Sequence, residues 1–299
     1  MCFADVPAYA AARIITPKKS WLMKNKIIFG FLFIFFSFSL SAQAGLRIFV
    51  EESGGELTII RSEGMIRELI IPETINDLPV TAIGEGAFTR RGLTMVVIPD
   101  SIVVIEEQAF SFNQISTLYI GNNVETIGRG AFANNRLYNL SLGTGVRTIG
   151  KGAFADNHLA ELEIPDSVTV IEGFAFFNNR LRDILIPDSV TTIGEGAFST
   201  NRLLSVVIGN SVTEIGDGAF FNNRLTSITI PPSLNVMGRR VFESRFTRVA
   251  GAAPPIDYID ERGEIIFTTA NNFDAFFTST GSRAGTYTFS RTEGWDFDG

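Results

Sequence analysis

The sequence predicts an α/β solenoid, in which one short structural unit is repeated along a line. Three observations predict it: an unbroken 22-residue spacing of Phe, apolar columns with the same spacing, and short alternating segments that end in Pro or Gly. One such unit cannot bury its own apolar face, but stacked units can. We therefore expect a parallel sheet on one face and turns or short helical segments on the other.

Residues 1–44 are typical of an export leader. Two lysines precede a 14-residue apolar run, Ile27–Leu40, and Ala42-Gln43-Ala44 follows it. This order predicts a signal peptide cleaved after Ala44, with translation starting at Met23. The alternative, a membrane anchor, needs more residues, because 14 residues at about 1.5 Å each do not cross a core of about 30 Å. We expect a secreted or cell-surface protein with no membrane span in the mature chain.

The composition argues against several function classes. The chain has 25 basic and 32 acidic residues, a net charge of −7, and the part after residue 44 has 20 and 31, a net −11. An acidic chain is an unlikely binder of nucleic acid. Cys2 and His158 are the only residues of their types. Disulfide frameworks and Cys/His zinc sites need more of both, so we expect no cofactor and no metal.

The repeats follow a short N-terminal cap. Residues 45–65 do not match the repeat and contain a candidate strand, Leu57–Ile60. Residues 66–250 form the predicted solenoid. Its register is set by eight phenylalanines spaced by 22: Phe88, Phe110, Phe132, Phe154, Phe176, Phe198, Phe220 and Phe242.

Each unit reads L-x-x-L-x-I-P-D-S-V-x-x-I-G-x-G-A-F-x-x-N-R. The L-x-x-L-x-I part has the period of a strand with one buried face, and Pro or Gly ends it. The G-x-G-A-F part lacks this alternation and is too short for an isolated helix, which predicts a turn or a single helical turn. No G-x-G copy continues into a dinucleotide or phosphate-binding motif, so its recurrence indicates a backbone requirement.

The unit resembles the BspA-like leucine-rich repeats of bacterial surface and secreted proteins. The resemblance rests on the segment Ile186–Phe198, I-P-D-S-V-T-T-I-G-E-G-A-F, and on the first stretch, Ile71–Val80. It covers about Ile66 to Phe242. One departure is Asn in the turn after A-F, where that family often has Cys. The resemblance implies a right-handed superhelix with a parallel sheet and frequent roles in surface attachment, and it implies no particular ligand.

Residues 251–299 depart from the repeat. Gly251–Pro255 has the composition of a linker, and residues 264–267 and 286–289 alternate as short strands do. A segment of this size is too small for a core of its own. We expect a C-terminal cap with an aromatic tail, packed on the last coil; the alternative is a separate module.

Two polar columns run along one edge of the predicted solenoid. The first is expected to be a structural ladder, with a ligand site as the alternative, because Asn bonds readily to turn backbone: Asn113, Asn135, Asn157, Asn179, Asn201 and Asn223. The second is a basic edge: Arg136, His158, Arg180, Arg202 and Arg224. We expect it to be solvated, with an anionic polymer or an acidic partner as the alternative. His158 replaces an Arg there, so a catalytic triad is not indicated.

The outward strand positions are not fixed by the repeat and form the candidate binding face. Its members are Tyr119, Asn139, Glu161, Glu163, Asp183, Leu185 and Val207. A strand spacing of about 4.8 Å places the three acids together, with apolar flanks. Paired carboxylates could serve a glycosidase, but a flat face without a cleft argues against an enzyme, so we expect no catalytic residue.

Together these features predict an exported, non-catalytic scaffold that binds a protein or glycan through its sheet face, in surface attachment or recognition. The first alternative is a structural surface protein that self-associates. The second is a carbohydrate-active enzyme that uses the acidic centre. The oligomeric state is left open.

Overall fold

The computed structural model describes residues 46–242 throughout, and elsewhere the backbone of five strands. Those five are Phe36–Ser39, Asp257–Ile259, Ile265–Phe267, Gly285–Ser290 and Gly294–Asp298. The rest of the predicted leader and of the C-terminal tail lies outside the described residues. The cleavage site after Ala44 and the division of the chain into domains therefore stay predictions.

Each 22-residue unit forms one coil of a solenoid, and each face of the stack carries its own sheet. Parallel strands with one inward and one outward row form what we call the long-strand sheet, in two groups. The first group is Glu68–Ile70, Met95–Ile98, Thr117–Ile120 and Asn139–Ser141, and the second is Asp183–Leu185, Ser205–Val207 and Ser227–Ile230. Residues one unit apart pair directly, as Leu118 does with Leu140. The predicted parallel sheet is confirmed.

A second sheet, which the sequence analysis missed, runs along the V-x-x-I part of the units. We call it the short-strand sheet because its coils contribute two residues each: Val104–Ile105, Thr126–Ile127, Thr148–Ile149, Val170–Ile171, Thr192–Ile193, Glu214–Ile215 and Val236–Met237. The isoleucine of each pair, such as Ile149, is buried and faces the core. The short-strand sheet has no break over this range.

The expected helical segments are not found, so the α/β assignment is not confirmed. The described residues contain no helix, and so no helix among them is long and apolar enough to cross a membrane. The G-x-G-A-F part folds as a turn, because Ala131 N bonds to Gly128 O at 3.2 Å while Phe132 N bonds across to Ala153 O of the next coil at 2.8 Å. The solenoid is built of strands and turns.

The phenylalanine column forms the centre of the core. Successive rings lie parallel, with centroids 5.1–5.4 Å apart and interplanar angles of 4–13°. Seven of the eight side chains are fully buried, and Phe242 is 2% exposed. Buried Leu and Ile columns surround the stack on both sheets. The ring spacing is that of stacked strands, so the stack and the sheets share one repeat distance.

Two recurring glycine positions meet different requirements. A Cβ atom at Gly150 would lie 2.6 Å from Ile127 O of the preceding coil, so this position permits close contact between coils. Gly196 has a φ of +59°, the left-handed region that glycine tolerates. One coil earlier Phe174 occupies the same position, and its ring lies 2.5 Å from where a Cβ of Gly196 would be. The aromatic residue thus depends on a glycine in the next coil.

Strands outside the repeats cover both ends of the stack. At the N-terminal end, Arg47–Ser53 and Glu56–Glu63 form a hairpin, which joins Leu78–Ile83 in the short-strand sheet. Thr74–Ile75 also pairs with Leu78–Ile83. At the other end, Gly285–Ser290 pairs antiparallel with Ser227–Ile230, and Gly294–Asp298 pairs outside it. These strands occupy edges that would otherwise be open to other chains.

We predict that Phe154→Ala lowers the free energy of unfolding by about 3–5 kcal/mol, because it opens a cavity in the middle of the ring stack. Urea denaturation measures it, and the transition should broaden as the two halves uncouple. The control is Phe112→Ala, whose side chain is 46% exposed. Equal losses from the two variants would show that the stack is not the core.

Truncation after residue 255 should make the protein associate as its concentration rises. It removes the strand paired with Ser227–Ile230 and leaves the backbone groups of that edge open. Light scattering coupled to size exclusion measures the effect. Adding Thr229→Lys to the truncated chain should suppress it, because charge on an edge strand opposes pairing. A truncated chain that stays monomeric throughout would contradict the capping role.

Candidate functional site

The structure exposes all seven members of the candidate binding face. The large apolar side chains among them are 42–64% exposed: Tyr119, Leu185 and Val207. Leu185 pairs with Val207 on neighbouring strands, so their side chains form one apolar patch. Asp183 accepts a hydrogen bond from Ser205 Oγ at 2.6 Å, and Asn139 pairs with Thr117. Pairings thus link these residues within each strand group of the face.

The long-strand sheet is interrupted where the acidic centre was expected. Pairing stops at Asn139–Ser141 and resumes at Asp183–Leu185, and residues 161–163 form no strand. The coil itself stays in place, since His158 N bonds to Leu137 O at 3.1 Å. On the side of Asp183, a strand here would place Glu161 directly opposite that acid, and like charges in this position destabilise pairing. Glu161 and Glu163 are therefore not in a strand paired with Asp183.

The two glutamates of the acidic centre lie on an open surface. Glu161 and Glu163 are both exposed, and within residues 46–242 no hydrogen bond or ion pair orients either side chain. Nor do the described residues contain a cluster of three or more His, Cys, Asp or Glu able to hold a metal ion. The arrangement offers negative charge on an open surface.

The buried asparagine column joins each coil to the one before it. Asn157 Nδ2 donates to Phe154 O in its own coil at 3.1 Å and to Phe132 O in the preceding coil at 3.0 Å. Its Oδ1 accepts from Leu137 N at 3.0 Å. The other five members of the column make equivalent bonds and are no more than 8% exposed. Main-chain groups occupy these amides, which leaves a ligand little to bind there.

The basic edge forms one wall of an open groove of about 460 Å³. We call it the basic groove, and it crosses several coils. Its basic wall holds His158, Arg180, Arg202 and Arg224, its opposite wall holds Asp156, Asn178, Thr200 and Asn222, and buried asparagines lie between them. Arg136 belongs to the same column but does not line the groove. The basic column was named in the sequence analysis as a basic edge, and the opposite wall was not recognised there.

The opposite wall is a column of left-handed residues directly before the buried asparagines. Asp156, Asn178, Thr200 and Asn222 have φ values of 52–59°, which turn the chain sharply and raise these side chains beside the basic column. Asn178 Nδ2 donates to Asp156 Oδ1 at 2.7 Å, and Asn222 Nδ2 to Thr200 Oγ1 at 3.3 Å. The available signal was the recurrence of Asn, Asp or Thr before each N-R pair.

A matching sequence model identifies the family of the chain. Six copies of the BspA type leucine-rich repeat region match residues 63–180 and 126–247, which together cover more than half of the chain. The chain belongs to this family. The coils, the glycine turns and the phenylalanine stack are therefore the repeat scaffold of a BspA-type protein. A search of curated proteins gave no match to the sequence.

Solved structures share the fold of this BspA-type chain. The pneumococcal vaccine antigen PcpA aligns with a TM-score of 0.50 at 20% identity, over 67% of this chain and 66% of that one. A leucine-rich repeat protein from Bacteroides ovatus ATCC 8483 aligns with a TM-score of 0.51 at 24% identity, over 67% and 55%. The match thus spans less than two thirds of each of those chains. At these identities the likeness shows the fold.

Asn157→Leu should lower the free energy of unfolding by at least about 2 kcal/mol, because it leaves buried main-chain groups of two coils without partners. Leucine is of similar size, so the lost hydrogen bonds dominate. Urea denaturation measures the change, and hydrogen exchange at the Leu137 amide should accelerate. The control is Asn139→Leu, on the exposed face. If both variants lose equally, the amide does not join the coils.

Proposed function

We propose that this protein is an exported, non-catalytic recognition scaffold that binds another protein through the candidate binding face. The observation that carries the proposal is the set of exposed apolar side chains beside an acidic centre on one side of the stack. Interfaces commonly combine a buried apolar patch with a polar, charged surround. Leu185 and Val207 provide the patch, and Glu161, Glu163 and Asp183 the charge. The partner should present basic residues around an apolar contact.

The construction of the stack supports recognition over many contacts. Each coil is joined to its neighbours by the short-strand sheet, a buried amide and a stacked ring, and outside the interruption at residues 161–163 also by the long-strand sheet. A surface that is ordered before binding loses little conformational entropy when the partner arrives. The face residues vary from coil to coil while the core columns do not, so the scaffold can carry a specific pattern of side chains.

Two features support export. The leader has the order of charged, apolar and small residues that signal peptides share. The fold is also that of PcpA, which is described as a vaccine antigen, a description that fits a protein accessible from outside the cell.

Self-association is a second candidate, favoured by the strand at the N-terminal end. Phe36–Ser39 pairs with Arg47–Ser53, yet it lies within the predicted leader. Cleavage after Ala44 would remove it and leave Arg47–Ser53 as an open edge of the short-strand sheet. Open edges pair readily with other strands, so this end could join a second copy.

The recognition proposal predicts that Glu161→Lys combined with Asp183→Lys abolishes partner binding, since it reverses the charge of the acidic centre. Partners are first captured with the wild-type chain, and the affinity of each is then measured for the variants. The matched control is Glu125→Lys with Glu214→Lys, two exposed acids on the short-strand side. Leu185→Ser should weaken binding without a change in net charge.

Loss of binding in both charge variants alike would point to bulk charge and contradict a specific face. A partner that binds all variants equally would place recognition elsewhere on the protein. Assembly that depends on the Arg47–Ser53 edge and ignores these variants would favour the self-association candidate.

A further inference from the structure

We propose that the basic groove binds a single extended chain of an anionic polysaccharide, with its carboxylate or sulfate groups along Arg180, Arg202 and Arg224. This site lies apart from the candidate binding face and has the opposite charge. The proposal does not depend on the protein-binding role proposed above. It follows from the free donors of the groove, from its dimensions and from the groups at its ends.

The groove has donors that the protein itself does not use. Within residues 46–242 no acidic group lies within ion-pair distance of Arg180, Arg202 or Arg224, although arginines elsewhere, such as Arg129 and Arg147, do face glutamates. Each guanidinium carries five N–H donors and no acceptor. A ligand rich in anionic oxygens would satisfy them with charge-assisted hydrogen bonds.

The main-chain N–H groups along the groove already have hydrogen-bond partners, which disfavours a peptide ligand. Arg180 N bonds to Leu159 O at 2.9 Å, and Arg202 N to Leu181 O at 3.0 Å. On the opposite wall Asn178 N bonds to Ser199 O at 3.0 Å. A peptide that binds as an added strand obtains its affinity from free main-chain groups. These N–H groups are therefore not available to an added strand, as suits a ligand recognised through its own substituents.

The spacing of the coils argues against an acidic peptide as the ligand. The coils that line the groove repeat every 5.3–5.4 Å, as their stacked rings show. Same-side residues of an extended peptide repeat about every 6.6 Å, so acidic side chains would drift out of step with the arginines.

The ends of the groove carry groups that suit sugar rings. Tyr138 is 53% exposed, lies 5.3 Å from the His158 ring and has the Arg180 guanidinium 6.0 Å above its own. An exposed aromatic face of this kind can pack against the apolar face of a pyranose. At the other end the amide of Asn222 and the hydroxyl of Thr200 are half-buried and can hydrogen-bond to sugar hydroxyls.

The charge of the whole chain makes the site testable. The protein has a net charge of −7, so a polyanion gains nothing from its average field. Binding of such a polymer must come from a local basic feature, and it should weaken as salt screens the arginines.

The experiment measures binding of the whole protein to heparin, to hyaluronate, to neutral dextran and to poly-L-glutamate by biolayer interferometry at low and physiological salt. The groove variant is Arg180→Gln, Arg202→Gln and Arg224→Gln together. The matched control, Arg129→Gln, Arg147→Gln and Arg239→Gln, removes the same charge from exposed sites outside the groove. Circular dichroism and thermal melting verify that both are folded. A third variant is Tyr138→Ala.

We expect heparin, hyaluronate or both to bind, and dextran not to bind. The affinities for heparin and hyaluronate then show whether the groove prefers sulfate or carboxylate groups. The groove variant should weaken binding at least about tenfold, and the control should bind as the wild type does. Tyr138→Ala should bind more weakly than the control. Glu161→Lys with Asp183→Lys should leave this binding intact, which separates it from the face.

Three results would overturn the proposal. One is that neither anionic polysaccharide binds at low salt. Another is equal weakening by the groove and control variants, which would mean attraction by general charge. The third is poly-L-glutamate binding more tightly than either polysaccharide with the same dependence on the three arginines, which would assign the groove to an acidic peptide.

Discussion

The hydrogen bonds from each buried asparagine to the preceding coil are the interaction on which the rest of the structure depends. At the turn after the phenylalanine the chain leaves one sheet and heads for the other, and Phe132 O and Leu137 N of one coil both bond to Asn157 of the next. Asn157 and its equivalents supply the missing partners, a requirement that buried polar groups impose strongly. Because these bonds fix each turn relative to the preceding coil, the phenylalanine rings stack and the strands of both sheets come into register.

Much of the fold follows from the sequence because the same pattern, with its phenylalanine, occurs eight times. The apolar columns, the phenylalanine stack and the parallel long strands could all be predicted from the spacing. The prediction of helical segments was wrong because the recurring Gly and Asn residues adopt left-handed turns, as the φ values of Gly196 and Asn178 show. The short-strand sheet was missed because two residues are too few to show alternation. Its β-branched pairs, such as Thr148–Ile149, were the available signal.

The candidate site was less predictable, since it depends on where the repeat is not regular. Leu162 and Ile164 keep the apolar columns in step, so the apolar pattern alone predicts a strand where residues 161–163 form none. The basic groove needs two columns at once, one basic and one of left-handed residues, and only the first is conspicuous as a charge pattern. The result is a scaffold with an acidic face and a basic groove that lie two residues apart in each unit, as Leu181 and Arg182 separate Arg180 from Asp183.

The contact between Phe174 and Gly196 has a consequence for how such a chain can change through gene duplication and deletion. Loss or gain of 22 codons preserves the register, so most coils could be copied or removed without altering their neighbours. The coil that contains Phe174 differs, because its ring fills the space above the next coil and requires glycine there. Any coil that follows Phe174 must therefore carry glycine at this position, as the coils with Gly86, Gly130, Gly152, Gly196 and Gly218 do.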